Sequence, residues 1–129
     1  MCYNYGDMSG KFCTAINCID GRAQIPVIEY MKNRFGADYV DCITAPGANL
    51  ATCSGKAGDI FKAIQISVEK HNSAAIAVAG HHDCAANPKP KDAQTAHTEK
   101  AVKAVKAAHP QAEVIGLWVD ENWKVSEVA

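Results

Sequence analysis

The residues best suited to chemistry in this chain are a thiol, a carboxylate and a guanidinium that lie close together. Cys18 ends a short apolar run, residues 12–18, that has the pattern of a buried strand, and Asp20 and Arg22 follow directly after it. A cysteine is common in a protein core, but a charged pair directly after it needs water, a partner or a function. The segment therefore predicts a functional site at the end of a strand.

A second candidate segment lies far downstream, where another apolar run, residues 74–79, is followed by His81 and Cys84. Together with Cys18, these residues offer two thiolates and one imidazole, a soft ligand set that suits Zn²⁺. We therefore expect the two strand ends to meet around a zinc ion.

Composition and charge exclude several classes of partner. The 129 residues are 48% hydrophobic and 21% charged, so we expect one domain over residues 1–129 with its own core. A formal net charge of −1 gives no electrostatic case for binding nucleic acid or an anionic membrane. No apolar run approaches the roughly 18 residues that a membrane helix needs.

The six cysteines are interpreted as reduced thiols. The N-terminal residues show neither a basic start nor an apolar signal core, so we expect a cytoplasmic location. In that compartment cysteines indicate metal binding or catalysis before disulfides. Cys13 and Cys42 fall in or beside strand-like runs and are predicted to be small core residues, whereas Cys53 is assigned to a loop.

Apolar periodicity predicts strands that alternate with helices. Strands are predicted at residues 12–18, 39–44, 74–79, 114–119 and 123–128, and helices at residues 26–35, 59–72 and 93–108. Pro26 is assigned to the first turn of the first helix and Gly36 to its end. Residues 1–11 are expected to form an extended arm, and residues 45–49 and 81–91 to form loops.

This order of elements predicts an α/β fold with a mostly parallel sheet, helices on both faces and an antiparallel C-terminal edge strand. In such sheets, ligand sites form beyond the carboxyl ends of the strands, where the strand order reverses. If the first and third strands are neighbours, Cys18 and His81 both lie at that reversal.

The spacing of the residues does not support three other classes of site: a cysteine phosphatase, a phosphate loop and a dinucleotide-binding loop. A cysteine phosphatase needs a longer loop between its nucleophile and its arginine than Cys18 and Arg22 leave. Gly55-Lys56 hints at a phosphate loop, but Leu50 stands where the first glycine is required. No G-x-G-x-x-G follows the first strand, so dinucleotide binding is unsupported.

The Cys-x-Asp-x-Arg and His-x-x-Cys motifs, in this order, resemble those of the β-class carbonic anhydrases. A glycine- and asparagine-bearing loop, a helix-strand-ligand unit and the closing strands are also similar, at residues 46–50, 64–84 and 117–120. The resemblance covers about residues 12–128 and implies that the first strand lies beside the third.

The resemblance also implies a role for each motif residue. Cys18, His81 and Cys84 would ligate zinc and leave a fourth position for the water that attacks CO₂ to give bicarbonate. Arg22 would hold Asp20, which would accept a hydrogen bond from the zinc-bound hydroxide. In the family's closed form the same aspartate replaces the water. A homodimer or higher homo-oligomer is implied as well.

Departures from the family pattern leave alternatives open. The dipeptide Ala45-Pro46 stands where the family usually carries an Arg-Asn or similar pair, and Ala85 where it often has glycine. The substrate is thus CO₂ or a relative such as CS₂ or COS. The other alternative is a structural zinc site that Asp20 closes permanently, since structural sites have protein ligands only.

Three neighbouring features have no assigned role. His82 is either a proton shuttle or a solvated residue, and Asp83 is a candidate to orient a ligand through a hydrogen bond. Whether the loop at residues 85–91 gates the pocket is also open.

A charge count predicts the pH dependence of the site. Two thiolates, a neutral imidazole and Zn²⁺ sum to zero, so a bound water feels less positive charge than on a three-histidine zinc. Its pKa is therefore expected above the ~7 of three-histidine sites, and activity is expected to rise above neutral pH. A rate that is already maximal and flat at about pH 6.5 would contradict this expectation.

Overall fold

The fold is a five-stranded sheet with helices on both faces, seen in a computed structural model that describes residues 10–54 and 57–129. The strands are β1 (Phe12–Cys18), β2 (Tyr39–Ala45), β3 (Ala75–His81), β4 (Glu113–Val119) and β5 (Val125–Glu127). The helices are α1 (Gly21–Phe35), α2 (Ala48–Cys53), α3 (Gly58–His71) and α4 (Lys91–Ala108).

The strand order is β2-β1-β3-β4-β5, so the first strand lies beside the third, as predicted. The pairs β1–β2, β1–β3 and β3–β4 are parallel, and β4–β5 is antiparallel. The chain therefore moves outward from β1 in both directions, and the strand order reverses between β1 and β3. This is the place where open α/β sheets form a ligand crevice.

Each face of the sheet carries its own apolar core, which confirms the predicted α/β class. On one face Val27 and Met31 of α1 pack against strand residues such as Leu117. On the other face α2, α3 and α4 contribute, with Ile64 of α3 and Val105 of α4 at 0% exposure. Because it is covered on both sides, β3 is buried along its whole length, as its continuous apolar run predicts.

Helix α1 begins earlier than predicted, directly after the Cys-x-Asp-x-Arg motif. Its first residue is Gly21, and the Asp20 side chain caps it by accepting a hydrogen bond from the Arg22 N–H at 2.9 Å. The placement of Pro26 in the first turn was therefore wrong, and this proline lies inside the helix. Gly36 ends the helix as predicted, with a φ of 61° that suits glycine.

The segment around β2 corrects three further predictions. Ala48 begins α2, inside the predicted loop at residues 45–49, because a helix of 6 residues is too short to show apolar periodicity. Cys53 is the last residue of this helix rather than part of a loop. Cys42 is exposed, not a core residue, because β2 is an edge strand, whereas Cys13 is buried as predicted.

Other predictions concern the chain as a whole. The arm at residues 1–11 falls almost wholly outside the described residues, as does Gly55-Lys56. The single domain over residues 1–129 stays a prediction. Within the described part of the chain, no helix combines the length and the apolarity needed to cross a membrane.

The packing of α3 predicts unequal effects for two isoleucines on one helix. Ile64→Ala removes a side chain that is 0% exposed and should lower the free energy of unfolding by about 2–5 kcal/mol, measured by urea denaturation. Ile66→Ala is the matched control, because Ile66 is 53% exposed and its loss should stay within about 0.5 kcal/mol. Equal losses would contradict this packing.

Candidate metal centre

The carboxyl ends of β1 and β3 bring together the three residues predicted as metal ligands. Cys18 is the last residue of β1, His81 is the last residue of β3, and Cys84 lies in the loop that follows β3. Their ligand atoms all lie within 4.8 Å of one another, and the two Sγ atoms are 3.8 Å apart. Their assignment as metal ligands stays a prediction.

The hydrogen bonding of His81 leaves one ring nitrogen available for a ligand. Its Nδ1 lies 2.7 Å from the backbone oxygen of His82, which can only accept, so Nδ1 carries the proton. In the neutral ring, Nε2 then carries a lone pair. This atom is buried without a hydrogen-bond partner among the described residues, and Oδ2 of Asp20 is 3.9 Å away. Such a buried polar atom is costly unless something binds it.

The donor set fits a zinc ion in chemistry and in spacing. Cys18, His81 and Cys84 are only 5%, 1% and 4% exposed. Two Zn–S bonds of about 2.3 Å at a tetrahedral angle place their sulfurs about 3.8 Å apart, and the observed separation is 3.8 Å. Burial raises the pKa of the Cys84 thiol, so metal binding there must displace a proton.

Asp20 and Arg22 form a bidentate ion pair beside the three ligand atoms. Oδ2 of Asp20 accepts from Nη2 of Arg22 at 2.7 Å, and Oδ1 accepts from Nε at 3.0 Å. The hydrogen bonds from Arg22 lower the pKa of Asp20 to about 2, and the same pairing raises the pKa of Arg22. The carboxylate is therefore an ionised hydrogen-bond acceptor close to Nε2 of His81.

Arg22 is held on two further sides. Its Nη1 donates to Oδ2 of Asp83 at 3.3 Å, and its Nη2 donates to the Asp83 backbone oxygen at 3.2 Å. Its Cζ atom lies 4.6 Å from the ring centre of Trp123. These contacts fix the guanidinium in the position from which it binds Asp20.

An apolar cavity of about 250 Å³ opens beside the site. Its lining residues come from three chain segments: Cys18, Ile19, Asp20, Pro46, Ala85 and Ala86. Pro46 and Ala85 are positions at which the sequence departs from the β-carbonic anhydrase pattern. These departures therefore shape the space into which a small ligand would enter.

A comparison with protein families gives one match over almost the whole chain. The family model described as "Putative carbonic anhydrase" matches residues 8–129. This chain belongs to that carbonic anhydrase family.

Solved structures of carbonic anhydrases share the fold at low sequence identity. A β-carbonic anhydrase isoform I from Trichomonas vaginalis is 16% identical with a TM-score of 0.61, over 89% of this chain and 81% of that chain. A structure from a study of two tetrameric β-carbonic anhydrases of Sordaria macrospora is 12% identical with a TM-score of 0.64, over 96% and 85% of the two chains. A carbonic anhydrase from Glaciozyma antarctica is 15% identical with a TM-score of 0.55, over 90% and 81%. No curated protein sequence matches the chain.

In this carbonic anhydrase-family chain, two groups of residues around the site were missed by sequence reasoning. Trp123 was assigned to a strand at residues 123–128, but it lies in the turn before β5 with a φ of 60° and packs on Arg22. A buried polar cluster also lies behind His81: Asn49, Asn87, Gln94 and Thr98, each at most 1% exposed. Asn87, Gln94 and Thr98 belong to no recognisable sequence motif. Only Asn49 lies in a segment, residues 46–50, that resembles the family.

His82, Asp83 and the loop at residues 85–91 had no assigned role from the sequence, and the structure shows the surroundings of the first two. His82 is exposed, and its backbone oxygen orients the His81 ring. Asp83 contacts Arg22, with a φ of 57° in the left-handed region that aspartate tolerates. The exposed position of His82 is compatible with both alternatives, a proton shuttle and a solvated residue, and gating by residues 85–91 stays an open question.

The Asp20–Arg22 pair predicts a pH effect in the metal-free protein. Because the folded pKa of Asp20 is lowered to about 2 from 3.8, the stability from this pair is present above about pH 4 and is lost as the pH falls toward 2. Arg22→Gln should move the Asp20 pKa up toward 3.8 in a ¹³C-carboxyl NMR titration. Arg34→Gln, on the same helix but paired with Glu113 and Glu127, is the control and should not move it. An unchanged Asp20 pKa in Arg22→Gln would refute the pairing.

Proposed function

We propose that the protein is a zinc-dependent carbonic anhydrase, a lyase that converts CO₂ reversibly to bicarbonate. The observation that carries the proposal is the buried Nε2 of His81, which has no hydrogen-bond partner among the described residues. The ligand atoms of His81 and of two buried thiols lie within 4.8 Å of one another, and Oδ2 of the ionised Asp20 lies 3.9 Å from Nε2. Membership of the carbonic anhydrase family and the fold shared with β-carbonic anhydrases support it.

The proposed zinc ligands are Cys18, His81 and Cys84. When bound, the ion supplies a Lewis acid that makes a coordinated water acidic enough to act as a nucleophile. The protein contributes a buried site with two soft donors and one imidazole whose tautomer the His82 backbone sets. Three protein ligands leave one position open, as a catalytic zinc site requires.

The proposed catalytic pair is Asp20 with Arg22. Asp20 stays ionised across the physiological range, so it can accept a hydrogen bond from the attacking oxygen and direct a lone pair toward the substrate carbon. Arg22 engages both carboxylate oxygens and so holds Asp20 in that role. The bidentate pairing of Asp20 with Arg22 supports a carboxylate that orients the nucleophile rather than one that fills a fourth ligand position.

The proposed substrate pocket is the cavity lined by Ile19, Pro46, Ala85 and Ala86 with the two site residues Cys18 and Asp20. CO₂ is small and carries no charge, so it needs apolar walls and access to the nucleophile rather than a charged anchor. Apolar walls of this kind also admit CS₂ or COS, which the assay below compares with CO₂.

A homo-oligomer is the proposed assembly. The structurally similar enzymes of Sordaria macrospora are tetrameric. Large apolar side chains are exposed on this chain, among them Ile19 beside the cavity at 60% and Ile25 on α1 at 65%. If these side chains belong to one contiguous patch, that patch is a candidate face for packing on another chain.

The proposed location is the cytoplasm. Cys13, Cys18, Cys42, Cys53 and Cys84 are all free thiols. A site that depends on two unoxidised cysteines suits a reducing compartment.

The test is stopped-flow CO₂ hydration by protein of measured metal content, at pH 7.0 and 8.5. We expect one equivalent of zinc and a rate that is higher at pH 8.5. Asp20→Asn should keep the zinc and lose activity on the order of 10²-fold, because the acceptor beside the nucleophile is weakened. Cys84→Ser should lose both zinc and activity, and Cys42→Ser is its matched control, because Cys42 is exposed and lies outside the site.

Other outcomes separate the alternatives. One equivalent of zinc with no CO₂ turnover at either pH would overturn the hydratase proposal. Turnover of CS₂ or COS in the same preparation would then identify a related hydrolase, and its absence would indicate a structural zinc site closed by Asp20. A wild-type protein without zinc would overturn the metal centre itself.

A further inference from the structure

We infer that Gln94 is a positioning residue of the metal centre, whose side-chain amide holds the main chain of His81 and the loop carrying Cys84. The inference deepens the proposed function, and its consequence for zinc binding rests on that function. Gln94 lies on α4 and is 0% exposed. It has no direct access to the reacting atoms and acts through the residues that it holds.

Gln94 replaces a missing strand neighbour at His81. The register of β1 with β3 ends at Ile16 and Val78, so His81 lies beyond the last pair. There the Oε1 atom of Gln94 accepts from the His81 N–H at 3.3 Å, and its Nε2 donates to the His81 carbonyl oxygen at 2.8 Å. A primary amide offers a donor and an acceptor side by side, as the N–H and C=O of one residue on an adjacent strand do.

The same amide also holds the far end of the ligand loop. Nε2 of Gln94 lies 3.2 Å from the backbone oxygens of both Asn87 and Lys89. Cys84 lies between these residues and His81 along the chain, so one side chain fastens the loop on both sides of it. A loop that is already ordered loses less conformational entropy when its thiol binds a metal, which raises the affinity.

The surroundings of Gln94 allow one position for its amide. Asn49 Nδ2 donates to Oε1 of Gln94 at 3.3 Å and to Oγ1 of Thr98 at 3.2 Å. A Cβ atom at Gly80 would lie 2.7 Å from Asn49 Nδ2 and 2.9 Å from Gln94 Oε1, so this approach requires glycine. These hydrogen bonds, made in a buried environment, restrain the position of the Gln94 amide. Glutamate has no donor for the three carbonyl oxygens, and methionine has neither a donor nor a comparable acceptor.

The test uses Gln94→Met, which keeps the length of the side chain and removes its hydrogen bonds. Zinc affinity is measured by competition with a chromophoric chelator, and ligand geometry by the absorption bands of the Co²⁺-substituted protein. We expect zinc binding to weaken by about 10–100-fold, as is typical when a group that orients a metal ligand is lost. The Co²⁺ bands should shift in position or intensity.

Two control variants separate positioning from general destabilisation. Ser67→Ala removes a buried hydroxyl that bonds Thr14 and Asp41, away from the ligand loop, and so lowers stability without touching the site. Gln65→Met makes the same chemical change at an exposed position of α3, where the amide donates to Glu69 at 3.3 Å. Both variants should keep wild-type zinc affinity and wild-type Co²⁺ bands.

A second readout needs no metal. In the metal-free protein, the amide hydrogens of residues 81–87 and of Lys89 should exchange faster in Gln94→Met than in Ser67→Ala. If zinc affinity, Co²⁺ bands and exchange in Gln94→Met equal those of Ser67→Ala, the inference is overturned. If the wild-type protein takes up no zinc, the proposed function fails, and the exchange measurement alone then decides whether Gln94 orders the loop.

If Gln94→Met does not fold, Gly80→Ala is the variant that tests the inference in its place. The new Cβ displaces the amides of Asn49 and Gln94 while leaving both residues in place. The same loss of zinc affinity and faster exchange are expected. Wild-type values for both measurements in Gly80→Ala would overturn the inference.

Discussion

The site depends on the separation of β1 and β3 at their carboxyl ends. Each strand stays paired on its outer side to its last residue, Cys18 with Ala45 and His81 with Val119. On the inner side the register of the two strands ends at Ile16 and Val78. The separation makes room for a ligand between the last residues of both strands, and it also leaves backbone N–H and C=O groups without a ladder partner.

Buried polar groups left in this way must be satisfied by side chains, and this requirement explains the polar cluster behind the site. The Gln94 side chain forms hydrogen bonds with the N–H and the carbonyl oxygen of His81, and Asn49 donates a hydrogen bond to Gln94. The absence of a side chain at Gly80 permits the close approach. The result is a hydrogen-bonded frame in which the His81 ring keeps one nitrogen without a partner among the described residues, in a group whose other candidate ligand atoms are the two thiols.

Asp20 combines a structural and an electrostatic role in one side chain. It caps α1, where the positive end of the helix favours a carboxylate, and it binds the Arg22 guanidinium. Asp83 and Trp123 hold that guanidinium from other sides. The start of the first helix and the charge beside the three candidate metal ligands are therefore set by the same contacts, so the helix cannot begin elsewhere without moving the charge.

Much of this protein was predictable from its sequence, because the strongest signals are local. The continuous apolar run of β3 indicates a strand buried on both faces, and the two short motifs carry ligand types that few other sites use. The local sequence pattern gave a wrong start for α1, because the Asp20 cap outweighs the preference of Pro26 for a first turn. It also missed α2, because this helix is too short to show apolar periodicity. Sequence alone thus determined the fold class and the ligand candidates. Only the tertiary structure decided that Gln94 and Trp123 belong to the site, because their contacts join segments far apart in the chain and leave no spacing pattern.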